Sequence, residues 1–187
     1  MKIKPLPSLE YLRECFELDA VCPSGLRWRK RPRQHFSHDL SFATFDANVA
    51  GKPAGGIVTD KRRGKQYYKV YLNNDSYYAH RIVFSLFNEQ VISIETQVDH
   101  RNGSGTDNST NNLRSATHNQ NRFNVKTPSS NTSGIKGVSW HKRNKCWRYS
   151  VSFRGKIYQG GAPTVEKAHE IGKELREKLH KEFTNHG

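Results

Sequence analysis

Acidic residues are scarce in this chain of 187 residues: 17 Asp and Glu stand against 31 Lys and Arg, giving a formal net charge of +14. An imbalance of that size points to a polyanionic partner, with nucleic acid as the leading candidate. Cysteine is also sparse. Cys15, Cys22 and Cys146 are an odd number with no C-x-x-C pair, so neither a disulfide framework nor a zinc ribbon is indicated, and the three read as reduced packing residues. No apolar run is long enough to span a bilayer, and Met1–Leu12 lacks a signal-peptide pattern. A membrane partner is therefore not expected, and the chain reads as a cytoplasmic one.

What the sequence has in abundance is polar chemistry in one stretch, Val98–Asn124, with almost no apolar filling. Asp99 and His100 are adjacent, Asn112 lies twelve residues after His100, and Asn121 lies nine beyond that. Gly103, Gly105, Asp107 and Asn108 are turn formers that divide the stretch into two short extended pieces, followed by a helix over Ser115–Asn124. A phosphodiester is anionic and repels hydroxide. Its hydrolysis near neutral pH needs a cation to neutralise developing charge and a base to deprotonate water. Asp99 and Asn121 offer one anionic and one neutral oxygen, a hard set suited to Mg²⁺ or Mn²⁺. His100 can take the proton, and a carboxamide oxygen from Asn112 could fix its tautomer through the other ring nitrogen. Asn111 competes for that role. His118, three residues before Asn121, could touch metal or phosphate but reads better as a solvated or packing histidine.

This arrangement resembles the HNH nucleases with a ββα-metal active site, and among them the homing-type endonucleases of phages and introns. The resemblance implies that Asp99 is the first metal ligand, His100 the general base, Asn112 the orienting residue and Asn121 the helix ligand. Asn121 stands where the motif's last letter expects His, a variant of the homing branch. Ala79-His80-Arg81, upstream of the Asp-His pair, is similar to the same nucleases, with Arg81 expected to clamp a phosphate and His80 to brace the site.

Around this centre, Pro7–Leu18 reads as a short packing helix capped by Ser8, and Leu26–Lys30 as a strand leading into the basic run Arg31-Pro32-Arg33. His35–Asn48 lacks clear periodicity and reads as loop. Gly56-Ile57-Val58, Gln66–Leu72 and Ser76–His80 form a small antiparallel sheet whose first turn gathers Lys61, Arg62, Arg63 and Lys65, candidate phosphate contacts. Tyr78–Phe87 reads as a helix burying Ile82, Val83, Leu86 and Phe87.

Lys126–Ser133 is polar and carries a proline, as a linker does. Beyond it the period-two pattern returns, and Thr164–Phe183 reads as an amphipathic helix with Ala168, Ile171, Leu175 and Leu179 inward. Gly137-Val138, Trp147, Tyr158, Gly160 and the Thr164–Ala168 helix start resemble the Apetala/ethylene-response-factor DNA-binding domain. That resemblance implies a sheet whose open face enters the major groove. By strand parity, the open face is expected to carry Ser139, His141, Arg143, Arg148, Ser150, Ser152, Lys156 and Tyr158.

The expected fold class is α+β. It comprises an N-terminal DNA-contacting region over 1–77 with helix and hairpin elements and an HNH nuclease core over 78–125. A linker over 126–133 follows, then a three-stranded antiparallel sheet packed on one helix over 134–187. The expected function is a metal-dependent double-stranded DNA endonuclease of homing type, monomeric and therefore nicking. Its alternatives are a non-catalytic DNA-binding regulator and an RNA nuclease.

Overall fold

The computed structural model describes residues 4–61, 64–124, 127 and 130–186, and the chain divides into two units, Met1–Ser115 and Ala116–Gly187. In the first unit, the Ser8 hydroxyl accepts from the Tyr11 amide at 3.2 Å and starts helix α1 (Leu9–Cys15), which buries Leu12 and Cys15. Strands β1 (Phe16–Leu18) and β2 (Leu26–Trp28) pair antiparallel, with Phe16 opposite Trp28 and their rings 4.5 Å apart.

Helix α2 (Asp39–Asn48) occupies a stretch that the sequence reading assigns to loop. None of its residues is buried, so no apolar stripe announces it. It is held instead by aromatic contacts, Phe36 with Phe42 and Phe45, and Phe45 edge-on to Trp28 at 5.4 Å. Tertiary packing of two phenylalanines has overridden weak local periodicity.

Strands β3 (Gly56–Thr59), β4 (Gln66–Leu72) and β5 (Asp75–Tyr78) form an antiparallel sheet in that order. Asn73 and Asn74, at φ 51° and 63°, make the two-residue turn that joins β4 to β5. Val70 and Leu72 point into the main core, where Tyr68 and Tyr77 pack against them. The opposite face presents Tyr67, Lys69 and Tyr78, with Lys69 paired to Tyr78. Helix α3 (Ala79–Phe87) follows at once and buries Ala79, Ile82 and Val83 in the same core. Phe87, expected inside, is 54% exposed at the end of that helix.

Strand β6 (Gln97–His100) pairs with β7 (Leu113–Ala116), and Val98 and Leu113 join the core. The loop between them lies directly on β4. A Cβ at Gly105 would sit 2.3 Å from the Gln66 carbonyl oxygen and 2.6 Å from the Tyr67 ring.

The second unit starts with α4 (His118–Phe123), which lies before the expected linker yet groups with the C-terminal module. Of that linker, Lys126, Pro128 and Ser129 lie outside the described residues. Asn131 and Ser133 are bound into the module: the Ser133 hydroxyl donates to the Val138 carbonyl at 2.7 Å. Strands β8 (Val138–His141), β9 (Cys146–Phe153) and β10 (Lys156–Ala162) form an antiparallel sheet with β9 central. Helix α5 (Val165–His180) packs on one face, against Val138, Trp147, Tyr149 and Ala162.

Register corrects the expected open face. Arg154 and Gly155, at φ 49° and 77°, make a two-residue turn that sets Phe153 opposite Lys156 and Val151 opposite Tyr158. Paired residues share a face, so Lys156 and Tyr158 stand on the helix-bearing side with the odd residues of β9. Ser139, His141, Arg148, Ser150 and Ser152 do share the open face, joined there by Ile157 and Gln159. Arg143 lies in the exposed turn between β8 and β9.

Along α5 the buried stripe is Ala168, Gly172, Arg176 and His180, while Ile171, Leu175 and Leu179 are only half-buried. The reason is space. Gly172 leaves room beside Tyr149, and the Arg176 guanidinium donates to the Lys136 carbonyl at 2.9 Å.

The close approach at Gly105 is testable. Gly105→Ala should destabilise the protein by about 1–3 kcal/mol, as overpacking does where the obstructing atoms include backbone. Urea unfolding checks it, and wild-type stability would mean that the loop does not lie on β4.

Candidate active site

Burial of polar residues marks the site. Asp99, His100, Asn108, Asn112 and Arg114 are all less than 9% exposed in the first unit, an expensive placement unless each is hydrogen-bonded. Alternation along β6 would send Asp99 and His100 to opposite sides of the strand. Each has its own partner. Arg114, from β7, donates through Nε and Nη2 to Asp99 Oδ2 at 2.9 and 2.8 Å. This is a buried ion pair, and removal of either partner would leave an uncompensated buried charge.

His100 Nε2 lies 3.1 Å from Asn108 Oδ1. The orientation of the Asn108 amide is decided elsewhere: its Nδ2 donates to the Ser24 carbonyl at 2.9 Å, a contact only the nitrogen can make. Oδ1 is therefore the atom offered to His100, and an acceptor there requires the hydrogen on Nε2. Nδ1 is left as the basic nitrogen. Burial pushes the His100 pKa below its ordinary value, against the opposing pull of the Asn108 hydrogen bond and the Asp99 charge. The imidazole is neutral at neutral pH and competent to accept a proton.

Asn112, expected to fix the His100 tautomer, has a different task. Its Oδ1 accepts from the Asn102 amide at 3.0 Å, and its Nδ2 donates to Asn102 Oδ1 at 3.1 Å and to the Asp107 carbonyl at 2.7 Å. It closes the loop that carries Asn108. The competing Asn111 is exposed. Asp107 ties the same loop by accepting from the Ser109 hydroxyl and amide and from Asn102 Nδ2. These bonds, the Ser109 hydroxyl foremost, hold its carboxyl below the usual range. Sequence reasoning missed Asn108 because an Asp-Asn pair after two glycines reads as turn. Its burial beneath Ser24, 84 residues away in sequence, leaves no local signal.

A second histidine stands beside the first. His80 is the second residue of α3, and its ring meets His100 edge-on with centroids 4.9 Å apart; Tyr78 stacks on it at 5.3 Å. Burial, then the His100 and Arg81 charges, push its pKa well below the ordinary value. Its Nδ1 has no hydrogen-bond partner among the described residues. The face of β4 and β5 that presents Tyr67, Lys69 and Tyr78 thus supports both imidazoles, and Lys69 Nζ lies 4.6 Å from the Tyr78 ring centre.

Arg81 is not the phosphate clamp expected. It is 3% exposed, and it donates to the Thr96 and Ser93 carbonyls at 2.7 and 2.9 Å. It fixes the segment that feeds β6, and burial lowers its pKa. Arg62 and Arg63, also expected to bind DNA, lie outside the described residues; Lys61 and Lys65 on either side are exposed.

Asp99, His100 and Asn112 thus come together in the first unit, whereas Asn121 belongs to α4 in the second. His118, at the start of α4, is exposed. No group of three or more His, Cys, Asp or Glu among the described residues is placed to hold a metal ion. In the first unit the donor on offer is the carboxylate of Asp99, since the side-chain oxygens of Asn108 and Asn112 face His100 and the Asn102 amide. A carboxylate suits a hard divalent ion that keeps much of its water better than a closed thiolate or imidazole cage.

A family model described as HNH endonuclease matches residues 77–123. Over 59 residues the chain is 46% identical to protein 3.8 of Escherichia phage T7, a match that covers 32% of this chain and 49%, about half, of that relative. Over 171 residues it is 33% identical to an uncharacterized HNH endonuclease of Acanthamoeba polyphaga mimivirus, covering 82% of this chain and 89% of that protein. No solved structure matches it. Among the described residues no helix is long and apolar enough to cross a membrane.

The buried histidines make the first unit sensitive to acid. His80 and His100 both have folded pKa values below the ordinary 6.5, so below about pH 6.5 the unfolded chain binds protons that the folded chain does not. Stability is full above that pH and falls as pH drops beneath it, by up to about 1.4 kcal/mol per pH unit for each histidine. Urea midpoints at pH 7.5 and 5.5 should differ accordingly, and His80→Phe should reduce the difference; an unchanged difference would mean that His80 is not buried neutral.

Proposed function

Because the chain belongs to the HNH endonuclease family, we propose that it is a divalent-metal-dependent, homing-type nuclease that hydrolyses phosphodiester bonds of double-stranded DNA, one strand at a time. The observation that carries this reading is the orientation of His100, whose Nε2–H is held by Asn108 so that Nδ1 is the proton acceptor.

The reaction it suits is simple to balance. A water oxygen attacks phosphorus, the bond from phosphorus to the leaving sugar oxygen breaks, the attacking water's proton passes to His100 Nδ1, and the leaving oxygen takes a proton from solvent, to which His100 later returns its own. A bound Mg²⁺ or Mn²⁺ would supply charge neutralisation at the phosphoryl and leaving oxygens. Asp99 and Asn121 would hold it. Asn112 and Asp107 keep the Asn108 loop in place, and His80 and Tyr67 stand against His100, with Tyr78 behind His80. Asn112 then acts through Asn108 rather than on the imidazole.

Recognition of duplex DNA falls to the C-terminal sheet. Its open face carries Arg148, His141, Ser139, Ser150 and Ser152, flanked by Arg143, and its likeness to the Apetala/ethylene-response-factor domain implies entry into the major groove. A net charge of +14 supports a polyanion as partner. Lys61 and Lys65, with Arg62 and Arg63 between them, would add phosphate contacts, which position a protein without specifying sequence. The viral relatives favour action in a host cytoplasm.

Supercoiled plasmid tests the assignment. Wild-type protein with Mg²⁺ should yield nicked circles, and chelator should stop the reaction reversibly. His100→Ala should lower the rate by about 10²–10⁴-fold with DNA affinity intact, and Asn108→Ala should cause a smaller loss with the same affinity. The wild-type rate should be flat above pH 6.5 and fall only in more acid solution, because the His100 pKa is lowered and a cation at Asp99 lowers it further. Undiminished cleavage by His100→Ala, or an acid limb centred above pH 6.5, would remove His100 as the base.

A further inference from the structure

Helix α4 has six residues and none of them is buried. A helix so short has little stability of its own in water, so the contacts at its two ends contribute to its orientation. The first end is a capping box: the Gln120 amide donates to the Thr117 hydroxyl at 3.3 Å, and the Thr117 amide donates to Gln120 Oε1 at 2.8 Å. This closes one turn without giving it a direction.

The other end is held by the C-terminal module. The Phe123 ring lies flat on His180, with centroids 4.0 Å apart and planes within 3°. His180 is itself fixed, 7% exposed on α5, with Nε2 donating to the Ser152 carbonyl at 3.0 Å. Lys136 Nζ donates to the Phe123 carbonyl at 3.0 Å, satisfying one of the acceptors that a helix leaves unpaired at its C-terminus. Asn185 Nδ2 donates to the Asn124 carbonyl and side-chain oxygens at 3.1 and 2.9 Å. Asn121 lies two residues before Phe123, about 200° round the helix axis. A clamp on the Phe123 side therefore directs Asn121 to the opposite side. The family match ends at the clamp residue, Phe123.

We propose that His180, assisted by Lys136 and Asn185, is a positioning residue for the nuclease reaction: by gripping Phe123 it fixes α4 and so orients Asn121. The C-terminal module is then part of the catalytic apparatus and not only a DNA reader. A chain cut in the 126–133 segment would keep Asp99, His100, Asn112 and Asn121 in its sequence and still lose the orientation of the last. The inference rests on the reading of Asn121 as a metal ligand.

The test uses the full chain and two readouts: Mn²⁺ affinity by titration calorimetry without DNA, and kcat and KM for plasmid nicking. His180→Ala should lower Mn²⁺ affinity and kcat by at least about tenfold, the scale seen when residues supporting a ligand are removed, with KM for DNA unchanged. His180→Phe, which keeps a flat ring on Phe123, should restore most of both. Asn185→Ala should move both in the same direction without disturbing the sheet and helix core, and it carries the test if His180→Ala does not fold. Wild-type kcat and Mn²⁺ affinity in these variants, while Asn121→Ala loses both, would overturn the positioning role alone. Wild-type behaviour of Asn121→Ala would overturn the reading of Asn121, and the proposal with it.

Discussion

The site depends on one carboxamide. Asn108 is 4% exposed, donates to the Ser24 carbonyl and accepts from His100, and these two bonds join a turn near the N-terminus to the candidate base. Without the Ser24 contact the amide could turn over and offer nitrogen to His100, which would reverse the imidazole tautomer. Much of the surrounding structure serves to keep Asn108 in place. Asn112 and Asp107 close its loop, Gly105 lets that loop lie on β4, and Ser24 is buried with its hydroxyl on the Ala54 carbonyl. The surroundings of His100 are thus built from parts of the chain far apart in sequence.

The excess of basic residues is not only a matter of surface. Arg81, Arg114 and Arg176 are each below 9% exposed, and each uses its guanidinium as a strut to a carbonyl or a carboxylate. An arginine presents several donors in a fixed fork and can hold two backbone segments at once, a task suited to a small unit with little apolar core. Composition shows the charge but cannot separate these internal struts from residues such as Arg148, which is exposed on the open sheet face. Arg81 was misassigned for that reason.

The sequence made the strands and most helices legible where burial follows a period. Strand β4 lies over Gln66–Leu72 as read, Ser8 caps α1, and the alternation of β8 and β9 correctly placed Arg148, Ser150 and Ser152 on one face. It failed where order comes from a long-range contact or a count of turn residues. Helix α2 has no stripe and is held by Phe42 and Phe45; the two-residue turn at Arg154-Gly155 moved Lys156 and Tyr158 to the other face; and α4, though adjacent in sequence to β7, groups with α5. Asp99, His100 and Asn112 stood out as candidates by type and spacing, but the bonds of Asn112 close the loop and do not reach the imidazole. Asn108 did not stand out, because an asparagine beside aspartate after glycines has the same local signature whether it makes a turn or holds a histidine.

Ring nitrogen NMR on histidine-labelled protein at pH 7.5 reads the tautomer of His100 directly. The expected spectrum shows a neutral ring with the proton on Nε2 and an unprotonated Nδ1, and it changes when Asn108 is replaced by Ala. A proton on Nδ1, or a charged ring at that pH, would contradict it.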